Sequence, residues 1–149
     1  MIDIENLVFN TVFDAVASVR STVPVSKGYI EQNAVYPCIV LRETNNVAYD
    51  NSATDDCSEN HARVTYQVDI YSDKEDTARS ECRDLLNLVD GIMQGMKFRR
   101  TYMSEPMNIS RSVYRQYARY TVIVAKGVTT VTGTGNEETS TTMFQMYRR

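Results

Sequence analysis

The chain has 149 residues, a formal net charge of -3, 42% hydrophobic and 23% charged residues. That is enough for one ordinary core and is inconsistent with a wholly disordered or fibrous protein. So small a net charge points to no polyanion or membrane by itself, but its distribution is uneven. Residues 97–126 carry seven basic residues, Lys97, Arg99, Arg100, Arg111, Arg115, Arg119 and Lys126, against the single acid Glu105, a balance of +6 that leaves -9 elsewhere.

The N-terminal stretch contains Asp3 and Glu5 and lacks the basic-then-apolar profile of a secretory signal. Residues 3–22 place Ile4, Leu7, Val8, Val12, Ala15, Val16 and Val19 at helical spacing, which predicts a first helix with one apolar face, stopped before Pro24. After Gly28, Tyr29 and Ile30 are expected to begin a short strand, and Tyr36-Pro37 leads into the strand Cys38-Ile39-Val40-Leu41. Residues 44–60, polar and rich in Asn and Asp, read as a long excursion between strands.

The clearest strand is 62–71, where Val64, Tyr66, Val68 and Ile70 alternate with Arg63, Thr65, Gln67 and Asp69, giving one core face and one polar face. Ser72 and Glu75 form a candidate capping box for a second helix over about 74–95. Its buried stripe is Ala78, Cys82, Leu85, Leu86, Val89, Ile92, Met93 and Met96. Residues 97–103 and 109–126 read as two more strands, a hairpin turning at 104–108. In the second, Ala118, Tyr120, Val122 and Val124 share one face; Arg111, Val113, Arg115, Tyr117 and Arg119 share the other. From Gly127 the chain is threonine-rich and the apolar pattern largely stops, so residues 1–126 form the domain and 127–149 a C-terminal extension, with any added strand ending at Gly133. The fold expected is α+β: a mostly antiparallel sheet of about four to five strands with two helices packed on one face.

Catalytic chemistry has little to work with. His61 is the lone imidazole, bordering the polar segment without a recognisable base or nucleophile partner, and it reads as a strand-start residue. Cys38, Cys57 and Cys82 are widely spaced and offer no zinc ligand set; Cys38 and Cys82 fall in apolar patterns as reduced core thiols. Asp50, Asp55, Asp56 and Glu59 lack the alternating spacing of a calcium loop, and no phosphate-cradling glycine motif is present. No catalytic, cofactor or metal site is expected, and no apolar run approaches the roughly 20 residues a membrane span needs.

The basic strand remains. Arg111, Arg115, Tyr117 and Arg119, with Arg99 and Arg100 nearby, admit three readings. They bind nucleic acid through phosphates and stacking, they are solvated charges on a half-exposed strand, or they meet Asp50, Asp55, Asp56 and Glu59 of an identical neighbour.

The order of elements resembles the tail terminator, or tail completion, proteins of long-tailed bacteriophages. An N-terminal helix leads to the aromatic-Pro-apolar strand Tyr36-Pro37-Cys38-Ile39-Val40-Leu41, then a polar segment and the strand Val64-Thr65-Tyr66-Gln67-Val68-Asp69-Ile70-Tyr71-Ser72. A helix opening on Lys74-Glu75-Asp76-Thr77-Ala78 follows, and then the basic-to-apolar strand Tyr117-Ala118-Arg119-Tyr120-Thr121-Val122-Ile123-Val124. The resemblance spans roughly residues 1–126. It implies a structural virion protein without catalytic activity, assembled in the host cytoplasm. Its copies form a ring, typically of six, at the head-proximal end of the tail, ending tail-tube growth and joining a head-connector protein while genomic DNA passes through the lumen without sequence-specific binding. A head-completion ring docked to the portal is the neighbouring alternative. On this reading 44–60 and 127–149 are assembly elements, and Asp50, Asp55, Asp56, Glu59, Arg99, Arg100, Arg111, Arg115 and Arg119 are contact residues.

Overall fold

A computed structural model describes residues 2–29, 35–48, 61–74, 76–110 and 112–125, together with the strand backbones at 128–132, 139–143 and 146–147. Among these residues two helices, α1 (Glu5–Val19) and α2 (Ala78–Gly95), lie against one face of a mixed sheet. The strands are β1 (Val25–Lys27), β2 (Cys38–Ala48), β3 (His61–Ser72), β4 (Arg99–Met103), β5 (Met107–Ser110), β6 (Val113–Ala125), β7 (Val128–Thr132), β8 (Thr139–Met143) and β9 (Met146–Tyr147). The main sheet runs β1-β2-β3-β6-β4, with β5 and β9 also paired to β6, seven strands in all. The α+β class and the helices on one face are as expected. The sheet is larger than four to five strands, and β1 joins β2 in parallel while the other main-sheet pairings are antiparallel.

The core follows from the two periodicities. Val8, Val12 and Val16 of α1, with Ile4 just before it, meet Cys82, Leu85, Leu86, Val89 and Met93 of α2 over the even-numbered residues of β3 and β6. Tyr66 and Phe98 cross edge to face at 5.8 Å in the middle of this layer. Leu7 and Val19, expected on the buried face of α1, are 40% and 63% exposed: Leu7 lies off the arc of Val8, Val12 and Val16, and Val19 is on the final turn.

Four local expectations change. Among the described residues the first strand precedes Gly28, because the extended Val25–Lys27 segment pairs with Ile39, Val40 and Leu41; Ile30 lies outside the described residues. Gly28 itself has φ 77, a left-handed turn suited to glycine, and Tyr29 has already left the strand. Residues 44–48, expected as loop, prolong β2 antiparallel to the start of β3, past an irregularity between Glu43 and Asn45; polar residues suit a strand there since that end is largely exposed. Helix α2 starts at Ala78, not 74. Ser72 is not a capping-box residue: its hydroxyl bonds Glu81 Oε1 at 3.1 Å and accepts the Lys74 N–H at 3.4 Å, and Asp76 has φ 63, which breaks the helix before Thr77.

The fourth concerns the turn of the expected 97–126 hairpin: β4 pairs antiparallel with β6 as expected, but β5 intervenes between them in the chain. β4 and β5 do not face each other around 104–108; both lie along the same edge of β6, β4 against residues 118–121 and β5 against 113–115. Ser104 bridges them, its N–H donating to Tyr117 O at 2.8 Å while its Oγ accepts the Tyr117 N–H at 2.9 Å. Gln116 Nε2 donates to Ser104 O at 2.9 Å, fixing the joint from within the buried layer. β9 adds a third piece to that edge at Ile123 and Val124, and β7 and β8 form a separate two-stranded sheet, so the threonine-rich extension carries strands beyond Gly133.

Candidate interaction face

Alternation along β6 sends Ala118, Tyr120, Val122 and Val124 into the core and Arg115, Tyr117 and Arg119 to the face away from the helices. Opposite them in β3 the antiparallel register sets Tyr71 across from Arg115, Asp69 across from Tyr117 and Gln67 across from Arg119. Gln67 and Asp69, expected on an open polar face, are buried.

A buried carboxylate requires a cation and donors. Asp69 has both: Arg115 Nε and Nη2 donate to its Oδ1 at 3.0 and 2.6 Å, and Gln67 Nε2 donates to its two oxygens at 3.2 and 3.3 Å. The Gln67 carbonyl in turn accepts Arg119 Nε at 3.2 Å, so one chain of polar contacts runs Arg119, Gln67, Asp69, Arg115. Burial alone would loosen the Arg115 proton, but the hydrogen bond and charge of Asp69, with Tyr71 and Tyr117, hold it more tightly than in an ordinary arginine. The Arg115 and Arg119 guanidiniums stand 4.8 and 5.7 Å from the Tyr117 ring centre, and Tyr102 of β4 packs on Tyr117 at 5.5 Å. The result is an arginine–tyrosine array whose rings and guanidiniums are held rigid by their own sheet.

The other basic candidates divide. Arg99 pairs in register with Thr121 on the array's face, whereas Arg100 pairs with Tyr120 on the helix side, so these neighbours do not join one stripe. Arg100 Nη1 instead meets Asp90 Oδ1 of α2 at 3.1 Å; the same carboxylate accepts the Tyr120 hydroxyl at 2.8 Å and Gln94 Nε2 at 2.8 Å. Arg111, Asp50, Asp55, Asp56, Glu59 and Cys57 lie outside the described residues. The intrachain partners Asp69, Gln67, Asp90 and Tyr102 were missed because strand register and, for Asp90, the packing of α2 on the sheet bring them to the arginines, and neither is written in any local pattern. The odd-number parity shared by Gln67 and Asp69 was the available signal.

Elsewhere the polar groups serve the fold. Glu81, buried on the first turn of α2, is held by Ser72, by Lys74 Nζ at 3.0 Å and by Arg20 at 4.0 Å. Burial, helped by Asp73, pushes the Cys38 thiol up to about 11, and burial with Glu81 does the same to Cys82, which makes both poor nucleophiles at neutral pH. His61 is the first residue of β3 and half-buried. Among the described residues no group of three or more His, Cys, Asp or Glu could hold a metal ion, and no helix is long and apolar enough to cross a membrane.

No curated protein matches the sequence. The family model described as tail completion protein gp17 matches residues 11–122, from within α1 through most of β6. Most of α1, all of α2 and the full β3–β6 pairing of the array fall inside that span, and the chain therefore belongs to the tail completion protein gp17 family, structural components of the phage tail.

Proposed function

We propose that this chain forms a ring, of six copies, that seats on the head-proximal end of the tail tube, stops its growth and offers a surface to the head connector, with DNA passing through the lumen. The observation that carries the proposal is the family match over residues 11–122, the part of the chain that contains most of the core and the arginine–tyrosine array. Two further features support it. The array is preformed, so binding a partner on that face orders little additional side-chain freedom. The charge polarity of the chain, +6 over residues 97–126 against -9 elsewhere, suits head-to-tail contact between copies.

In this reading the segment 44–60 and the extension 127–149 meet neighbouring subunits or tube proteins, and Asp50, Asp55, Asp56 and Glu59 approach basic residues of the adjacent copy. Arg111 and Arg119 are proposed for that contact, since Arg100 and Arg115 already face Asp90 and Asp69 of their own chain. Arg119, held by the neutral Gln67, keeps its charge for such a contact.

Mixing the purified protein with polymerising tail-tube protein tests the function. Rings by negative-stain microscopy and shortened, capped tubes are expected. Rings that ignore the tube but bind the portal side would transfer the protein to head completion, and a monomer that leaves tube length unchanged would remove the proposal.

A further inference from the structure

Helix α2 ends on a left-handed residue that is not glycine. Phe98 N–H donates to Met93 O at 3.0 Å and Lys97 N–H to Gln94 O at 2.9 Å, the bond pair that closes a helix through one left-handed position; Lys97 occupies it with φ 70. Glycine fills that position at little cost and lysine does not. Strain of this kind is retained where the side chain has a use.

The Lys97 side chain lines a cleft of about 760 Å³ at the junction of α2, β4 and β6. Arg63, Arg99 and Arg100 line it too, with Thr101 and Thr121, and among the described residues no acid is in its walls. Asp90 meets Arg100 from outside the cleft and, through Gln94, holds the adjoining wall in place. Lys97 and Arg99 make no ion pair among the described residues. Along β4, on the face that carries Arg99, Tyr102 is 47% exposed and stacked on Tyr117.

Lys97 and Arg99, without an ion pair among the described residues, in an open cleft beside the exposed ring of Tyr102, match a ligand that carries repeated anionic oxygens and flat rings. We propose that this cleft binds the phosphodiester backbone of nucleic acid, irrespective of sequence. The assignment shifts nucleic-acid contact from Arg115, whose guanidinium is committed to Asp69 and Tyr117, and from Arg119, assigned to a neighbouring copy, to Lys97 and Arg99 at the end of α2. It follows from the cleft alone and stands whether or not copies of the chain form a ring.

Fluorescence anisotropy with labelled duplex and single-stranded oligonucleotides, between about 50 and 200 mM salt, tests it. Affinity should fall linearly with salt on logarithmic axes for both strand forms. Lys97→Gly and Arg99→Gln should each lower the duplex slope by about 0.9, uniformly across sequences, while Arg83→Gln, which removes the same charge from the exposed side of α2, should leave it unchanged. Tyr102→Ala should weaken the single strand and spare the duplex. Lys97→Gly suits the left-handed turn, so a retained melting transition separates lost binding from lost folding. A Lys97→Gly/Arg99→Gln double variant with the wild-type slope would overturn the proposal, as would wild-type protein that binds neither oligonucleotide at low salt. Capture of a synthetic peptide of residues 49–60 by protein that ignores both oligonucleotides would also overturn it, in favour of an acidic protein partner.

Discussion

Arg115 closes on Asp69 across the β3–β6 strand pair with two nitrogens on one carboxylate oxygen, at 3.0 and 2.6 Å, and the carboxylate side chain is only 6% exposed. Removing the cation strands a buried charge, which costs more than the pair contributes when intact. Arg115→Ala should therefore destabilise the fold by about 3 kcal/mol, and Asp69→Asn in the same chain should restore part of that loss. Urea midpoints with an unchanged slope would measure it; strict additivity of the two substitutions would show that the residues are not coupled.

Lys97→Gly should act in the opposite direction. Relief of the left-handed backbone at φ 70 stabilises the native state, offset in part by the freer unfolded chain. A net gain of about 0.5–1 kcal/mol, read as a rise of a few degrees in Tm, is expected. A fall in Tm would mean that the lysine side chain contributes more to folding than its backbone costs.

Cys38 and Cys82 are buried, and their thiols are pushed up to about 11, so little thiolate forms at pH 8. Both should resist alkylation in the native protein and react quickly once urea unfolds it. Peptide mapping by mass spectrometry distinguishes them from Cys57; rapid native labelling of Cys82 would contradict the close contact of α2 with the sheet.

Glu43 is held above its ordinary carboxylate value, chiefly by partial desolvation against the sheet and further by Asp3 and Glu5, with Asn46 and Tyr66 working the other way. A carboxyl raised in the folded state destabilises the protein once it is ionised in both states. That penalty disappears when acidification protonates it in both. Glu43→Gln should accordingly be more stable than wild type at neutral pH, with the difference shrinking as pH falls through the raised value and vanishing below the usual carboxylate range. Paired thermal melts across that window decide it, and a difference that grows on acidification would reverse the sign.

Much of the architecture was legible where burial imposes a period. The alternating residues of β3 and β6 and the stripe from Ala78 to Met93 emerge because one face of each element must leave water. Legibility fails where a partner, not a period, decides. Val25–Lys27 is a strand because β2 accepts it in parallel, Asn45–Ala48 because β3 continues beside it, and the chain turns beyond Ser110 because both β4 and β5 claim the same edge of β6. The arginine stripe was visible as parity, but its internal neutralisation by Asp69 and its divergence at Arg99 and Arg100 depend on register across strands far apart in the chain.

The two borders of the main sheet carry one more consequence. One border is β1, three residues long; the other is the broken line of β9, β4 and β5 along β6, irregular between Arg100 and Tyr102 and again between Asn108 and Ser110. Neither offers a long, even row of backbone donors and acceptors on which a second molecule could template its own strand. Copies of the chain thus have, among the described residues, little edge on the main sheet along which to fuse strand to strand.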